Sequence, residues 1–161
     1  MFEPCPCPDV NAHTLDVTSA WKKIAPHAYC ISLQESPDRF DHAVGLFHAV
    51  GLCPLMTFYR PTRDPQGAVR GCYESHRACA THALLQNADT SALVFEDDVY
   101  FTKNTIANPH RNVQRITRVM THLPSNWDVM LLTHSNIERA YPVVGSRLGL
   151  WRTWANCFGS Y

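Results

Sequence analysis

A chain of 161 residues is long enough for one domain with a hydrophobic core of its own, so it does not need disulfides to make up for a small one. Lys plus Arg and Asp plus Glu both number 14, so the formal net charge is zero; this excludes nucleic acid as a partner held by bulk charge, and any anion must be gripped locally. No apolar run approaches the roughly 20 residues of a membrane span, and Met1 to Val10 lacks the basic start and apolar centre of a secretory signal, so a cytoplasmic protein is expected.

Residues 1–26 read as a partly disordered N-terminal tail, followed by one domain over 27–161. Within the tail, Cys5-Pro6-Cys7-Pro8 has the look of half a zinc site. No matching Cys or His pair follows at ribbon-like spacing, His13 is the one further ligand nearby, and the prolines hold the segment extended. Seven cysteines, scattered and odd in number, argue against a complete disulfide framework and for buried, reduced thiols.

The β-branched and aromatic content of His27 to Leu33 predicts a first strand. Ser36 as N-cap, Pro37 at the first helical position and Asp38 near the positive end of the dipole predict a helix start. Phe40, Val44, Phe47 and Val50, with Ala43, recur at helical spacing as its buried face, and Gly51 closes it. Pro54 to Tyr59 reads as a second strand, and the Pro, Gly and charged residues of 60–67 as an exposed loop. A second helix is expected from Val69 to Asn87, with Cys72, Cys79, Ala80, Ala83 and Leu84 on one side.

Ser91 to Tyr100 follows as a third strand-like run, then a helix from about Asn112 to His122, then Trp127 to Leu132 as a fourth strand. Tyr141 to Val144 and Leu148 to Phe158 look like short strands around Gly145 and Gly149. Strands separated by helices indicate an α/β fold with a mostly parallel, Rossmann-like sheet flanked by helices. The apolar, aromatic end at Trp151, Trp154, Phe158 and Tyr161 would normally be covered by further sequence, so the domain reads as C-terminally shortened or as a fragment.

The third strand discharges into Glu96-Asp97-Asp98. Three adjacent carboxylates repel one another and resist desolvation, so they persist where water, a basic partner or a divalent cation compensates them. Ligands of parallel sheets gather at the carboxyl ends of strands, which is where this trio lies. A metal site and a solvated acidic turn are the two readings of the trio, and the metal site is favoured.

Arg70-Gly71-Cys72-Tyr73-Glu74-Ser75-His76, followed about twenty residues later by Leu93-Val94-Phe95-Glu96-Asp97-Asp98-Val99, resembles the Gly-Cys-x-x-Ser-His and Glu-Asp-Asp pair of glycosyltransferase family 25, the lipopolysaccharide-type and collagen galactosyltransferase-like enzymes. Ile31-Ser32-Leu33 with Pro37-Asp38-Arg39-Phe40 is similar to the family's opening strand and helix start, and Trp127-Asp128-Val129-Met130 to its following Trp-Asp strand. Ser32 stands where the family usually has Asn, and Thr133-His134-Ser135-Asn136 has no counterpart in its pattern.

The resemblance implies a GT-A fold, inversion at the anomeric carbon, a nucleotide-sugar donor (a UDP-hexose such as UDP-galactose or UDP-glucose), a glycan, lipid or protein acceptor, and Mn2+ or Mg2+ as cofactor. It implies Asp98 as direct metal ligand, Glu96 reaching the ribose or a metal-bound water, and Asp97 serving either function. Ile31 and Leu33 would offer backbone groups to the base, Arg39 would contact the nucleotide or its diphosphate, and His76 with Ser75 would support the donor pocket. For Arg39 a surface ion pair with Asp38 or Asp41 stays open, and for His76 a satisfied helical histidine. The catalytic base is unassigned; His134 is the one weak candidate, set against an ordinary loop histidine. Two competing readings are a non-catalytic nucleotide-binding module and a metal-dependent phosphohydrolase or nucleotidyltransferase. The last would want a second acidic or His-rich ligand set, which the sequence does not display.

Overall fold

The computed structural model describes residues 1–8, 10–86, 91–125, 127–132, 137–142 and 151–155. It forms two compact units, Met1–Arg115 and Ile116–Tyr161. The first unit contains β1 (Phe2–Pro4), α1 (Ala12–Lys22), β2 (His27–Ile31), α2 (Pro37–Ala49), a 3-10 turn (Cys53–Leu55), β3 (Met56–Tyr59), α3 (Ala68–Gln86), β4 (Ala92–Glu96) and α4 (Lys103–Ala107). The helix α5 (Pro109–Met120) crosses the division, and the second unit holds β5 (Ile137–Pro142) and β6 (Trp151–Ala155).

The four-stranded sheet has the order β1-β3-β2-β4, with β1 antiparallel to β3 and the other neighbours parallel. This is an α/β arrangement with a mixed sheet flanked by helices, compatible with a Rossmann-like fold. In the central strand β2, Ala28, Tyr29 and Cys30 are all buried, as both faces of a parallel sheet are covered. Cys30 lies in register with Phe58 and Phe95. That face meets α2, whose Phe47 ring sits 6.1 Å from Phe58 and 5.3 Å from Phe95. Tyr29 alternates to the opposite face, where Cys79 and Ala83 of α3 cover it and its hydroxyl bonds His82 Nδ1 at 2.9 Å.

Several expectations are corrected. Residues 1–26 are not simply a tail: Phe2–Pro4 adds an edge strand to β3, and α1 is capped by Asn11, whose Oδ1 accepts from Thr14 N at 2.9 Å. Trp21 Nε1 of α1 donates to Val50 O at 2.8 Å, and Thr18 Oγ1 to Gly51 O at 2.7 Å, so polar bonds as well as apolar burial dock the segment. Ser36 stands at the N-cap of α2, but its side chain caps no backbone N–H; Pro37 supplies the start instead. Phe40 and Val44 are only partly buried in α2, and Phe40 lies edge-on to Phe58 at 4.6 Å. On α3 the covered face carries Ser75, Cys79 and Ala83, while Ala80 and Leu84 face solvent, because the true helical stripe is rotated from the expected one.

Gly51 does end the α2 region: its φ of 69° is left-handed, and an added Cβ there would meet Val17 Cβ at 2.8 Å. The fourth strand predicted at Trp127 to Leu132 is not formed; these residues take no helix or strand, since strand-like side chains make a strand only when a ladder partner is present. The two C-terminal strands form an antiparallel pair with a register shift between Ile137 and Arg139. Among the described residues no helix is long and apolar enough to cross a membrane.

Candidate functional site

After β2 the chain passes through α2 to β3 on one side, then through α3 to β4 on the other side of β2. The strand order therefore reverses between β2 and β4. In open α/β sheets the crevice at such a reversal, outside the carboxyl ends of the strands, is the usual ligand site. Ile31 and Glu96 lie in register there, and Asp97 N donates to Ile31 O at 3.1 Å, carrying the pairing one residue past β4.

Strand alternation then sorts the carboxylates. Glu96 points to the α3 side, where His76 Nε2 lies 3.2 Å from its Oε1 and the Cys72 thiol donates to the same oxygen at 3.8 Å. Asp97 turns to the α2 side and meets Arg39 Nη2 at 2.5 Å. Asp98 follows in the turn, with its carboxylate 57% exposed and 3.4 Å from the same guanidinium nitrogen.

Arg39 sits in the first turn of α2, where the helix dipole disfavours a cation. Its pairing with Asp97 and Asp98 offsets that cost and replaces the alternative expected for it, an ion pair with Asp38 or Asp41. Asp97 is buried, and burial raises its carboxyl above the usual carboxylate range; the Ser32 hydroxyl and Arg39 pull it back down, while Asp98 and Glu96 push it up. Ser32 is itself buried beside Asp97, where its hydroxyl favours the charged carboxylate.

The expected donor-site residues divide into two groups. Five of them lie at the β2/β4 end in two clusters: Arg39 with Asp97 and the metal candidate Asp98 on the α2 side, and His76 with Glu96 on the α3 side. Ser75 is buried with its hydroxyl donating to Gly71 O of its own helix at 2.6 Å, so it braces α3. The carbonyls of Ile31 and Leu33 already accept from Asp97 N and Ser36 N, at 3.1 Å each. His134 lies outside the described residues.

Two features escaped the sequence reading. Cys72 and His76 stand one turn apart on α3, and their ligand atoms, with that of Glu96, all lie within 4.8 Å of one another. The i, i+4 spacing of Cys72 and His76 was the available signal. Burial first, then Glu96, pushes the Cys72 thiol up to about 11, so it is a neutral donor here. The second feature is sulfur chemistry at the opposite end of the sheet: Cys53 joins Cys7 in a disulfide, against the expectation of reduced thiols. The thiols of Cys5, Cys30 and Cys79 are free and buried as expected; burial pushes Cys5 and Cys79 up to about 12 and raises Cys30 as well.

Among the described residues Glu96 shares a possible ligand group with Cys72 and His76, a mixed hard and soft donor set, whereas Asp98 lies beside Arg39 and belongs to no such group. The fold and site together define an α/β protein with an arginine-clasped acidic cluster at its topological switch point. Comparisons with family models, with curated proteins and with solved structures find no match for this chain.

Proposed function

We propose that the chain is a metal-dependent inverting glycosyltransferase of GT-A architecture, moving a hexose from a UDP-sugar to a hydroxyl of a glycan, lipid or protein. The observation that carries this reading is the placement of Arg39, Glu96, Asp97 and Asp98 together at the β2/β4 switch point, where an α/β sheet receives a nucleotide. The resemblance of its motifs to those of glycosyltransferase family 25 supplies the choice of chemistry. A cytoplasmic setting belongs to the same proposal.

In this reading the three carboxylates have separate tasks. Asp97 is withdrawn from solvent and fixes Arg39, so it is a positioning residue. Asp98, open to solvent beside Arg39, is the carboxylate that would hold a cation, and Glu96 is held by His76. A hard divalent cation bound there supplies neutralisation of the diphosphate leaving group. Arg39 reaches the same region from α2 and adds a fixed guanidinium for phosphate oxygens. His76 keeps Glu96 oriented.

One observation favours a second reading. The Cys72, His76 and Glu96 group is a further ligand set of the kind that metal-dependent phosphoester hydrolysis or nucleotidyl transfer would require. The products separate the two: UDP released with transfer of a hexose supports the glycosyltransferase, whereas inorganic phosphate or a nucleoside monophosphate supports the alternative.

The test is calorimetric titration of the chain with UDP, UDP-galactose and UDP-glucose, each with Mn2+ and with chelator. Binding that needs Mn2+ is the expected result. Absence of binding in both conditions, in a folded sample, overturns the UDP-sugar reading. Binding without any turnover across acceptors leaves a non-catalytic nucleotide-binding module in its place.

A further inference from the structure

The sulfurs at the amino end of the sheet form a centre of their own, independent of the glycosyltransferase reading. Cys5 N donates to Met56 O at 2.9 Å, extending the β1/β3 pairing by one residue, and Cys7 N turns back to Cys5 O at 2.8 Å around Pro6. Cys53 opens the 3-10 turn that leads into β3, two residues after the left-handed Gly51. These backbone bonds bring the Sγ atoms of Cys5, Cys7 and Cys53 within 4.8 Å of one another. Cys5 and Cys53 are buried, and Cys7 is half-buried, which leaves one open side.

A plain structural disulfide uses two thiols. Here the third sulfur, of Cys5, sits 2.9 Å from the Cys53 sulfur, closer than the ~3.5–4.0 Å at which non-bonded heavy atoms rest. Cys53 is therefore bonded to Cys7 and in contact with Cys5, so all three sulfurs meet at one point. Three thiolates packed together repel unless a cation lies among them, and an all-sulfur set selects a soft ion such as Zn2+ or Cu+. Among the described residues no nitrogen or carboxylate joins this group, so the fourth position of a tetrahedral ion would go to water or an exogenous donor on the Cys7 side.

We propose that Cys5, Cys7 and Cys53 of the reduced chain bind one zinc ion, and that the Cys7–Cys53 disulfide is the oxidised, metal-free form of the same centre. The interconversion balances with a small-molecule disulfide as oxidant: the Cys7 and Cys53 thiolates give up two electrons and form the S–S bond, the oxidant is cleaved to two thiolates, zinc leaves, and Cys5 takes up a proton. A dithiol reductant supplies the two electrons for the reverse step. The ion ties the segment after β1 to the entrance of β3, joining residues 46 apart in sequence, so in either state the centre holds the edge strand to the sheet.

The experiment uses the full chain, reduced with a dithiol, freed of metal and reductant under anaerobic conditions, and titrated with Co2+ as a spectroscopic stand-in for zinc. Expected is intense thiolate-to-cobalt charge-transfer absorption that saturates at one equivalent and is bleached by Zn2+. It should persist in Cys72→Ser, which removes the thiol from the Cys72, His76 and Glu96 group. It should weaken in Cys5→Ser and Cys7→Ser by more than the ~10–100-fold in affinity that altering an outer-shell partner costs. Alkylation of wild-type protein gives a readout free of any folding defect in a variant: zinc should protect three thiols that react in its absence once the chain is reduced. No charge transfer in folded wild type, persistence of the full signal in Cys5→Ser and Cys7→Ser, its loss in Cys72→Ser, or failure of zinc to protect the thiols would each overturn the assignment.

Discussion

At the carboxyl end of the parallel strands, Asp98 and Glu96 keep contact with solvent and lean on Arg39 and His76; at the amino end, Cys5 and Cys53 are withdrawn from water altogether. The difference follows from what each group costs to bury. A carboxylate loses its hydration shell at a cost of several kcal/mol unless it is paired, whereas a neutral thiol behaves as a small apolar side chain. The oxygen cluster thus stays at the solvent-exposed strand ends, and the sulfur cluster can sit inside, where it serves the scaffold. Asp97 is the intermediate case: it is buried, it borrows Arg39, and its carboxyl is raised even so.

The contrast is most easily broken at Asp98. Asp98→Ala removes a solvated oxygen ligand and one weak, exposed contact to Arg39, so Mn2+-dependent nucleotide binding should weaken by at least ~100-fold while the melting temperature changes little. Calorimetry and thermal unfolding on one preparation check both halves of this expectation.

At the amino end the corresponding blow falls on packing. Gly51→Ala places a Cβ at a left-handed φ and against Val17, and should cost roughly 1–3 kcal/mol in urea unfolding, with nucleotide binding retained. A smaller loss is expected for Arg39→Ala. Half the arginine is exposed, so the loss of its partner should destabilise the fold by only about 1–2 kcal/mol, whereas nucleotide affinity should fall markedly.

The smallest effect is a pH dependence at Asp97. Its folded-state carboxyl is raised above 3.8 chiefly by burial, so the folded chain binds the proton more tightly than the unfolded one. The stabilisation from protonating it is complete below the unfolded-state value and is lost as pH rises through the raised folded-state one. Urea unfolding across that window should show wild type gaining stability on acidification relative to Asp97→Asn, by under about 1 kcal/mol. A difference of the opposite sign would mean that Arg39 outweighs burial.

The alternation of strands and helices, and the strand-end position of Glu96, Asp97 and Asp98, were legible because hydrophobic periodicity and contiguous charge are local signals. The division of that trio was not, since it depends on which helix covers each face of β4: α3 brings His76 and Cys72 to Glu96, and α2 brings Arg39 to Asp97. The sulfur centre was invisible for a similar reason. Cys5-Pro6-Cys7-Pro8 announces half of it, but Cys53 joins it only because β1 pairs with β3, and a three-residue edge strand has almost no sequence signature. The strand expected at Trp127 to Leu132 shows the converse: a good local pattern without a ladder partner does not become a strand.

The most direct test of the central claim is electron paramagnetic resonance of Mn2+ titrated with the chain in the presence of UDP, comparing wild type with Asp98→Ala. The free-ion signal should fall on adding wild-type protein together with UDP and should be restored in the variant. Equal loss of signal with both proteins, or none with either, would contradict an Asp98-centred metal and nucleotide site.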